Sequence, residues 1–195
     1  MPKMRLIAPA VAALLLVCGF LAGTAQAARA DESRAAPVDL PRFMGTWYVI
    51  ARIPNAIERG DVAARNEYTL RDRDKVAVRY VSREGFDEPE EEVNARATVD
   101  TESGNRRWRL WFYRVVPTKY RILEVAPDYS WALIDYPGRD MAWVFSRSPE
   151  MEQAQYRELL GRLRDDYGIN TDKLRRVPQL REQVDKLGFD VPKKR

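Results

Sequence analysis

From Thr46 to Arg147 the chain alternates apolar and polar positions in short runs separated by turns. The run "WYVIAR" comes first. In "RNEYTL", Asn66, Tyr68 and Leu70 stand against Arg65, Glu67 and Thr69. Val76, Val78 and Tyr80 share one parity of "KVAVRYVS", and Val93, Ala95, Ala97 and Val99 oppose Asn94, Arg96 and Thr98. "RRWRLWFYRVV" sets Trp108, Leu110 and Phe112 opposite Arg107, Arg109 and Trp111 until Pro117 breaks it. "KYRILEV", "WALIDY" and "MAWVFSR" complete the series. A period of two is the signature of a half-buried strand. The connections "RDRD", "ESGN", "APDYS" and "PGRD" are turn sequences, whereas "IPNAIERGDVAA" is long for a hairpin. About eight strands joined almost entirely by hairpins predict an all-β fold, an eight-stranded antiparallel up-and-down barrel that closes and leaves no edge.

The period then changes. Tyr156, Leu159, Leu160, Leu163 and Tyr167 recur at helical spacing. Ser148 suits an N-cap, Pro149 the first helical position, and Gly168 the stop. This C-terminal α-helix needs an apolar surface, so it is expected on the outside of the barrel, over Trp111 or Leu123. The tail after it ends in the basic "KKR".

The N-terminus "MPKMRLIAPAVAALLLVCGFLAGTAQA" has a basic start, an apolar middle and a small-x-small end at Ala25-Gln26-Ala27. It reads as a secretory signal peptide cut after Ala27, or after Ala30 in "ARA"; an uncleaved anchor is the competing reading. The organisation expected is a signal peptide at 1–27, a linker at 28–37, barrel plus helix at 38–182, and a basic tail at 183–195. The net charge of +4 is too small to argue for nucleic acid. The chain has no His, and Cys18 in the apolar segment is its only cysteine. The mature part therefore offers no disulfide, no Cys nucleophile, no Ser-His-Asp triad and no His- or Cys-held zinc or haem. No metal and no cofactor is expected.

Three short motifs give the barrel an identity. "DLPRFMGTWYVIARIPNAIERG" contains a G-x-W at Gly45 and Trp47 at the head of the first strand. Asp128-Tyr129 forms a turn between two late strands, and Arg147 ends the eighth. In this order, with a helix following, residues 38–182 resemble the lipocalin family, in particular its bacterial, Blc-like outer-membrane lipoproteins. The resemblance implies a cup open at one end that holds a small apolar ligand. It implies that Trp47 plugs the closed end under Arg147, and that Gly45 lets the N-terminal segment cross close beneath. Gly45, Trp47, Asp128, Tyr129 and Arg147 are on this reading structural. Lipoproteins are cut before a cysteine that follows a small residue; Val17 precedes Cys18, a poor signal for lipidation. Lipidation of Cys18, or its removal with the signal peptide, is left open.

Family phasing with the parity of each strand assigns the cavity. Val49, Ala51, Asn66, Tyr68, Val78, Tyr80, Ala95, Ala97, Leu110, Phe112, Tyr120, Ile122, Ile134 and Trp143 are expected to line it. Val93, Trp108, Ala132 and Phe145 also fall inward, and Arg52 falls outward. Glu124 falls inward, either as a buried paired acid or because the phase slips there. The leading function is binding and transport or storage of a small hydrophobic ligand in the bacterial envelope, a fatty acid or lysophospholipid by family resemblance. The expected protein is exported to the periplasm, associates with the outer membrane, and is a monomer or weak homodimer. Two rivals remain. One is a lipid-modifying enzyme using Glu124 with Tyr80 or Tyr120. The other is an interaction module with a vestigial pocket, in which Trp111 and Tyr113 form a partner face.

Overall fold

The alternation folds as eight strands that close into an antiparallel up-and-down barrel: β1 (Gly45–Arg52), β2 (Val62–Asp72), β3 (Lys75–Arg83), β4 (Glu91–Asp100), β5 (Arg107–Phe112), β6 (Val116–Val125), β7 (Trp131–Asp135) and β8 (Ala142–Ser146). β1 pairs with both β8 and β2 and closes the circle. The computed structural model describes residues 36–112 and 116–194, and its barrel unit begins at Pro37. The signal peptide, Cys18, most of the linker and Tyr113 lie outside the described residues.

Two apolar layers hold the fold. Inside the barrel, Trp47, Val49, Tyr68, Val78, Ala97, Trp108, Ile122 and Phe145 belong to one buried cluster. Outside, a helix covers β6, β7, β8 and the end of β1. A one-turn helix α1 (Leu40–Phe43) precedes β1, and this outer helix is α2 (Gln153–Asp165). Its Tyr156, Leu159 and Leu163 pack on Ile50, Leu123, Trp131, Leu133 and Val144. Every residue of β7 is buried as a result, because both of its faces are covered. Leu123 takes the place expected beneath the helix. Trp111 does not; it lies on the opposite outer face, half-buried. Ser148 is not the cap. The cap position falls four residues later, at Glu152, the helix starts at Gln153, and Ser148 Oγ accepts from Glu150 N–H at 3.2 Å instead. Gly168 follows the last turn at φ +67°, where its N–H bonds the Arg164 carbonyl at 3.2 Å.

The register shifts at four places, each a bulge that inserts one extra residue and reverses the faces beyond it; one, between Leu70 and Asp72, lies at the end of β2 beside its turn, and the other three shape the barrel. In β1, Val49 pairs with Phe145 and Ala51 with Val144, so β1 advances two residues while β8 advances one. Ala51 therefore joins the outer layer under the helix, a correction to its expected place in the cavity. Arg52, opposite Trp143, turns inward rather than outward. In β6, Ile122 pairs with Ile134 and Glu124 with Leu133. The phase does slip there: Glu124 faces out, where Arg162 of α2 donates to it at 2.5 Å. The third bulge lies in β2 between Val62 and Arg65, with Ala63 at φ +48°.

The bulges in β1 and β2 face each other, and the two strands part there. β1 pairs with β2 only over Gly45–Tyr48. Beyond that the chain after α2 enters the gap. A short strand β9 (Arg175–Arg176) pairs with Ala51 and Arg52. Val177 N–H bonds the Ile50 carbonyl, and Ala63 N–H bonds the Pro178 carbonyl. The buried Gln179 amide then donates to the carbonyls of Val49 at 2.8 Å and Ala64 at 3.1 Å. One side chain thus satisfies two backbone acceptors that the bulges leave without a ladder partner. Gln179→Leu strands both; each such buried group costs roughly 1–3 kcal/mol. The expected loss is about 2–4 kcal/mol, read as a lower urea midpoint with unchanged slope.

Candidate ligand-binding site

The closed end is a knot of the three motifs. Asp39 caps α1 by accepting from Arg42 N–H at 3.1 Å, and α1 carries Phe43 into the base. Trp47 Nε1 donates to the Phe43 carbonyl at 2.7 Å. The Arg147 guanidinium lies 3.8 Å from the Trp47 ring centroid, a contact worth about 0.5–2 kcal/mol. It also donates to the carbonyls of Thr46 at 2.7 Å, Arg42 at 2.7 Å and Met44 at 2.8 Å. Gly45 has φ +93°, and a Cβ there would stand 3.4 Å from Arg147 Nη1. Asp128 holds its turn by accepting from Ser130 N–H and Oγ–H. That turn places Tyr129, at φ +62°, where its hydroxyl accepts from Asp39 N–H at 2.8 Å and Arg42 stacks on its ring at 4.1 Å. All five motif residues thus meet under the barrel.

Above the knot the interior is filled with rings. Phe43, Trp47, Tyr68, Trp108 and Tyr120 contact one another at centroid distances of 5.0–6.4 Å, mostly tilted or edge-on as ring quadrupoles favour. The hydroxyls of Tyr68 and Tyr120 bond each other at 3.0 Å. Burial raises both phenols far above their ordinary range, so they stay neutral. They form the floor, where one hydroxyl donates to the other and a single O–H hydrogen is left over. Of the residues expected in the cavity, Tyr68 and Tyr120 lie in this floor. Val49, Val78, Ala95, Ala97, Leu110, Ile122 and Ile134 face inward with the buried cluster. Asn66, opposite Trp47 and Tyr80, also faces inward. Asn66, Tyr80, Val93, Phe112 and Trp143 stay half-exposed although their positions point inward, so the upper barrel is less filled than its base.

The mouth holds a charged cluster that the sequence pattern does not reveal. Arg52 is 0% exposed. Its Nη2 donates to the carbonyls of Glu58 and Asp61 and to Asp190 Oδ2, the last at 3.0 Å. Its Nε and Nη1 meet no acceptor. Tyr80 donates to Asp61 Oδ2 at 2.8 Å, Ser82 to the same oxygen at 3.2 Å, and Lys193 to Asp61 Oδ1 at 2.5 Å. Trp143 Nε1 donates to Glu58 Oε2 at 2.9 Å. Asp190 and Lys193 belong to the basic tail, which is strapped across the mouth: Lys193 N–H bonds the Gly60 carbonyl and Lys194 N–H the Glu84 carbonyl. A Cβ at Gly85 would meet the Lys194 carbonyl oxygen at 2.4 Å, so the strap needs that glycine. The run "IERGD" and the terminal "DVPKK" were the visible signals, but nothing local links them. Among the described residues no group of three or more acidic, His or Cys side chains could hold a metal ion. The acid site that Glu124 would form with Tyr80 or Tyr120 is not assembled, since Glu124 faces the helix.

An eight-stranded barrel closed by a Gly-x-Trp strand, an Asp-Tyr turn and an arginine on the tryptophan is the architecture of a lipocalin. The family model described as a lipocalin-like domain matches residues 38–179, and the chain belongs to that family. Temperature-induced lipocalin-1 of Arabidopsis thaliana is 29% identical over 154 residues, 73% of this chain and 80% of the plant protein. Outer membrane lipoprotein Blc is 26% identical in Citrobacter freundii, over 68% of this chain and 75% of the relative. In Vibrio cholerae it is 23% identical, over 86% and 98%. These matches support the Blc-like branch that the motifs resemble. Among solved structures, insecticyanin of Manduca sexta superposes with a TM-score of 0.59 at 19% identity, over 80% of this chain and 86% of that one. Apocrustacyanin C1 gives 0.58 at 19%, over 73% and 80%, and both share the fold. Members of this family are in general binding proteins for small hydrophobic ligands rather than enzymes.

Glu58 makes the mouth pH-sensitive. Burial lifts its carboxyl above the ordinary 4.5, against the pull of Arg52 and the bonds from Trp143 and Asn55. The folded protein then holds this proton more tightly than the unfolded chain does. Stability from Glu58 is greatest below 4.5, falls as pH rises toward the raised folded value, and levels off above it. Glu58→Gln removes that fall. The variant gains on the parent protein between pH 4 and pH 8, read from urea midpoints at each pH.

Proposed function

We propose that the barrel binds and carries the acyl chain of a fatty acid or lysophospholipid in the cell envelope, after export and loss of residues 1–27. The observation that carries this reading is the gradient inside the barrel, from a ring-filled floor to half-buried Tyr80, Phe112 and Trp143 near the mouth. The wall between is apolar and partly small, with Val78, Ala95, Ala97 and Leu110. Each buried CH₂ favours binding by about 0.8 kcal/mol before ordering costs. The cationic Arg52 at the mouth, with its Nε and Nη1 unmatched, supports a ligand that ends in an anion.

The test is displacement of a bound fluorescent fatty acid. Oleate and a lysophospholipid are expected to displace it at micromolar concentration, and oleyl alcohol about tenfold less well. Ala95→Phe, which fills the wall opposite Val78 and Phe112, should weaken binding at least tenfold while the protein stays folded by circular dichroism. No saturable binding of any of the three would overturn the reading.

A further inference from the structure

The outer wall away from α2 carries an unneutralised positive surface. Cross-strand pairing aligns two rows of side chains on it. One row runs Thr69, Ala77, Arg96, Trp111. The next runs Lys75, Thr98, Arg109, Lys119. Arg71 lies beside them, and a groove of about 1010 Å³ runs between, with Ala77 in its floor. Most acids near this wall are engaged: Glu67 by Arg65 and Arg79, Glu92 by Arg79, Asp100 by Arg107, and Asp74 by Lys75, which is thereby neutralised; Asp72, in register with Lys75, is exposed at the edge of the wall. Arg71, Arg96, Arg109 and Lys119 are exposed and have no acidic partner among the described residues. Trp111 stands among them, half-buried and not covered by the helix.

We propose that this wall is a docking surface for an anionic phospholipid membrane. Charge complementarity selects the occupant. Clustered cations are drawn to the negative surface of a bilayer, each contributing about fivefold to partitioning at low ionic strength. A tryptophan with its ring at the surface, flanked by arginine, suits the head-group layer, where aromatic belts collect. Thr69, Ala77 and Thr98 are small uncharged positions in the lining of the groove, between Arg71, Arg79 and Arg96. The wall runs from one end of the barrel to the other: Arg71 and Lys75 flank the β2–β3 turn at the closed end, while Trp111 pairs with Pro117, one step before β5 ends at the mouth. Docking there would bring the rim beside the bilayer that supplies an acyl ligand, a consequence that rests on the carrier reading; the docking itself does not.

The experiment is flotation of the protein without its N-terminal 27 residues on vesicles of 30% phosphatidylglycerol in phosphatidylcholine, and on phosphatidylcholine alone. Binding is expected only to the anionic vesicles, and it should fall steeply from 0.02 to 0.3 M salt. Arg96→Glu with Arg109→Glu should weaken it at least tenfold. Arg157→Glu with Arg164→Glu, the same charge change on exposed positions of α2, should weaken it less than threefold. Trp111→Ala should weaken binding at the same net charge. Loss of binding that is equal for the two double variants, or no binding by the parent protein, overturns the proposal. The second result would leave an acidic protein as the partner for this wall. Fatty-acid displacement measured on the same variants separates the two readings: it should remain unchanged in Arg96→Glu/Arg109→Glu, and its failure would count against carriage alone.

Discussion

The bulge between Val49 and Ala51 is the constraint on which the upper half of the barrel depends. A regular β1 would run beside β2 and β8 for its whole length, with Arg52 on the outer surface. One extra residue turns Ala51 into the buried layer under the helix. It also turns Arg52 into the mouth and forces β1 and β2 apart. The opening created is filled by the segment after α2, whose backbone and Gln179 take over the missing ladder bonds. A buried guanidinium is costly unless acceptors surround it. The first loop supplies two carbonyls and the tail supplies Asp190, so that solvating Arg52 also fixes the loop and the strap. Position, loop order and tail order are therefore one event.

The two ends of the barrel are built on opposite principles. The base is stabilised by ring packing, with each polar group bonded within the knot; its arginine works mainly through carbonyls and a ring face, without a carboxylate. The mouth is stabilised by charges that are enclosed and mutually dependent, as the raised Glu58 and the shared Asp61 show. A network of the first kind resists deformation. One of the second kind has less apolar packing to hold it and responds to pH, which suits the end through which a ligand must pass.

Alternation in the sequence was enough for eight strands, their order and most of the interior, because in a half-buried strand the period follows directly from the pleat. It carried Val78, Ala95, Ala97, Leu110 and Ile134 to the inner face. It failed at Ala51, Arg52 and Glu124, all beyond bulges, because an extra residue leaves no mark in an apolar run such as "WYVIAR". Glu124 alone gave warning, as a charge on the wrong face. The three motifs were legible since each is a short local signal, although their meeting under the barrel is not local. Gln179, Asp190 and Lys193 were out of reach: their partners lie more than a hundred residues away.

The geometry also separates what would set affinity from what would set orientation. An apolar wall rewards chain length: about eight buried CH₂ groups contribute roughly 6 kcal/mol. A charge-assisted hydrogen bond at the mouth contributes about 1.5–3 kcal/mol. The chain term is therefore the larger, and ligands of many head groups would enter. The smaller term still decides direction, because the Tyr68–Tyr120 floor offers an anion at most one neutral hydroxyl hydrogen, whereas Arg52 carries a full charge and has lost its hydration in the fold whether or not a ligand is present. An anion that reaches it meets a donor already stripped of water. A barrel of this kind would hold the chain tail-down and its charged end at the rim, loose in its choice of lipid and strict in how it holds one.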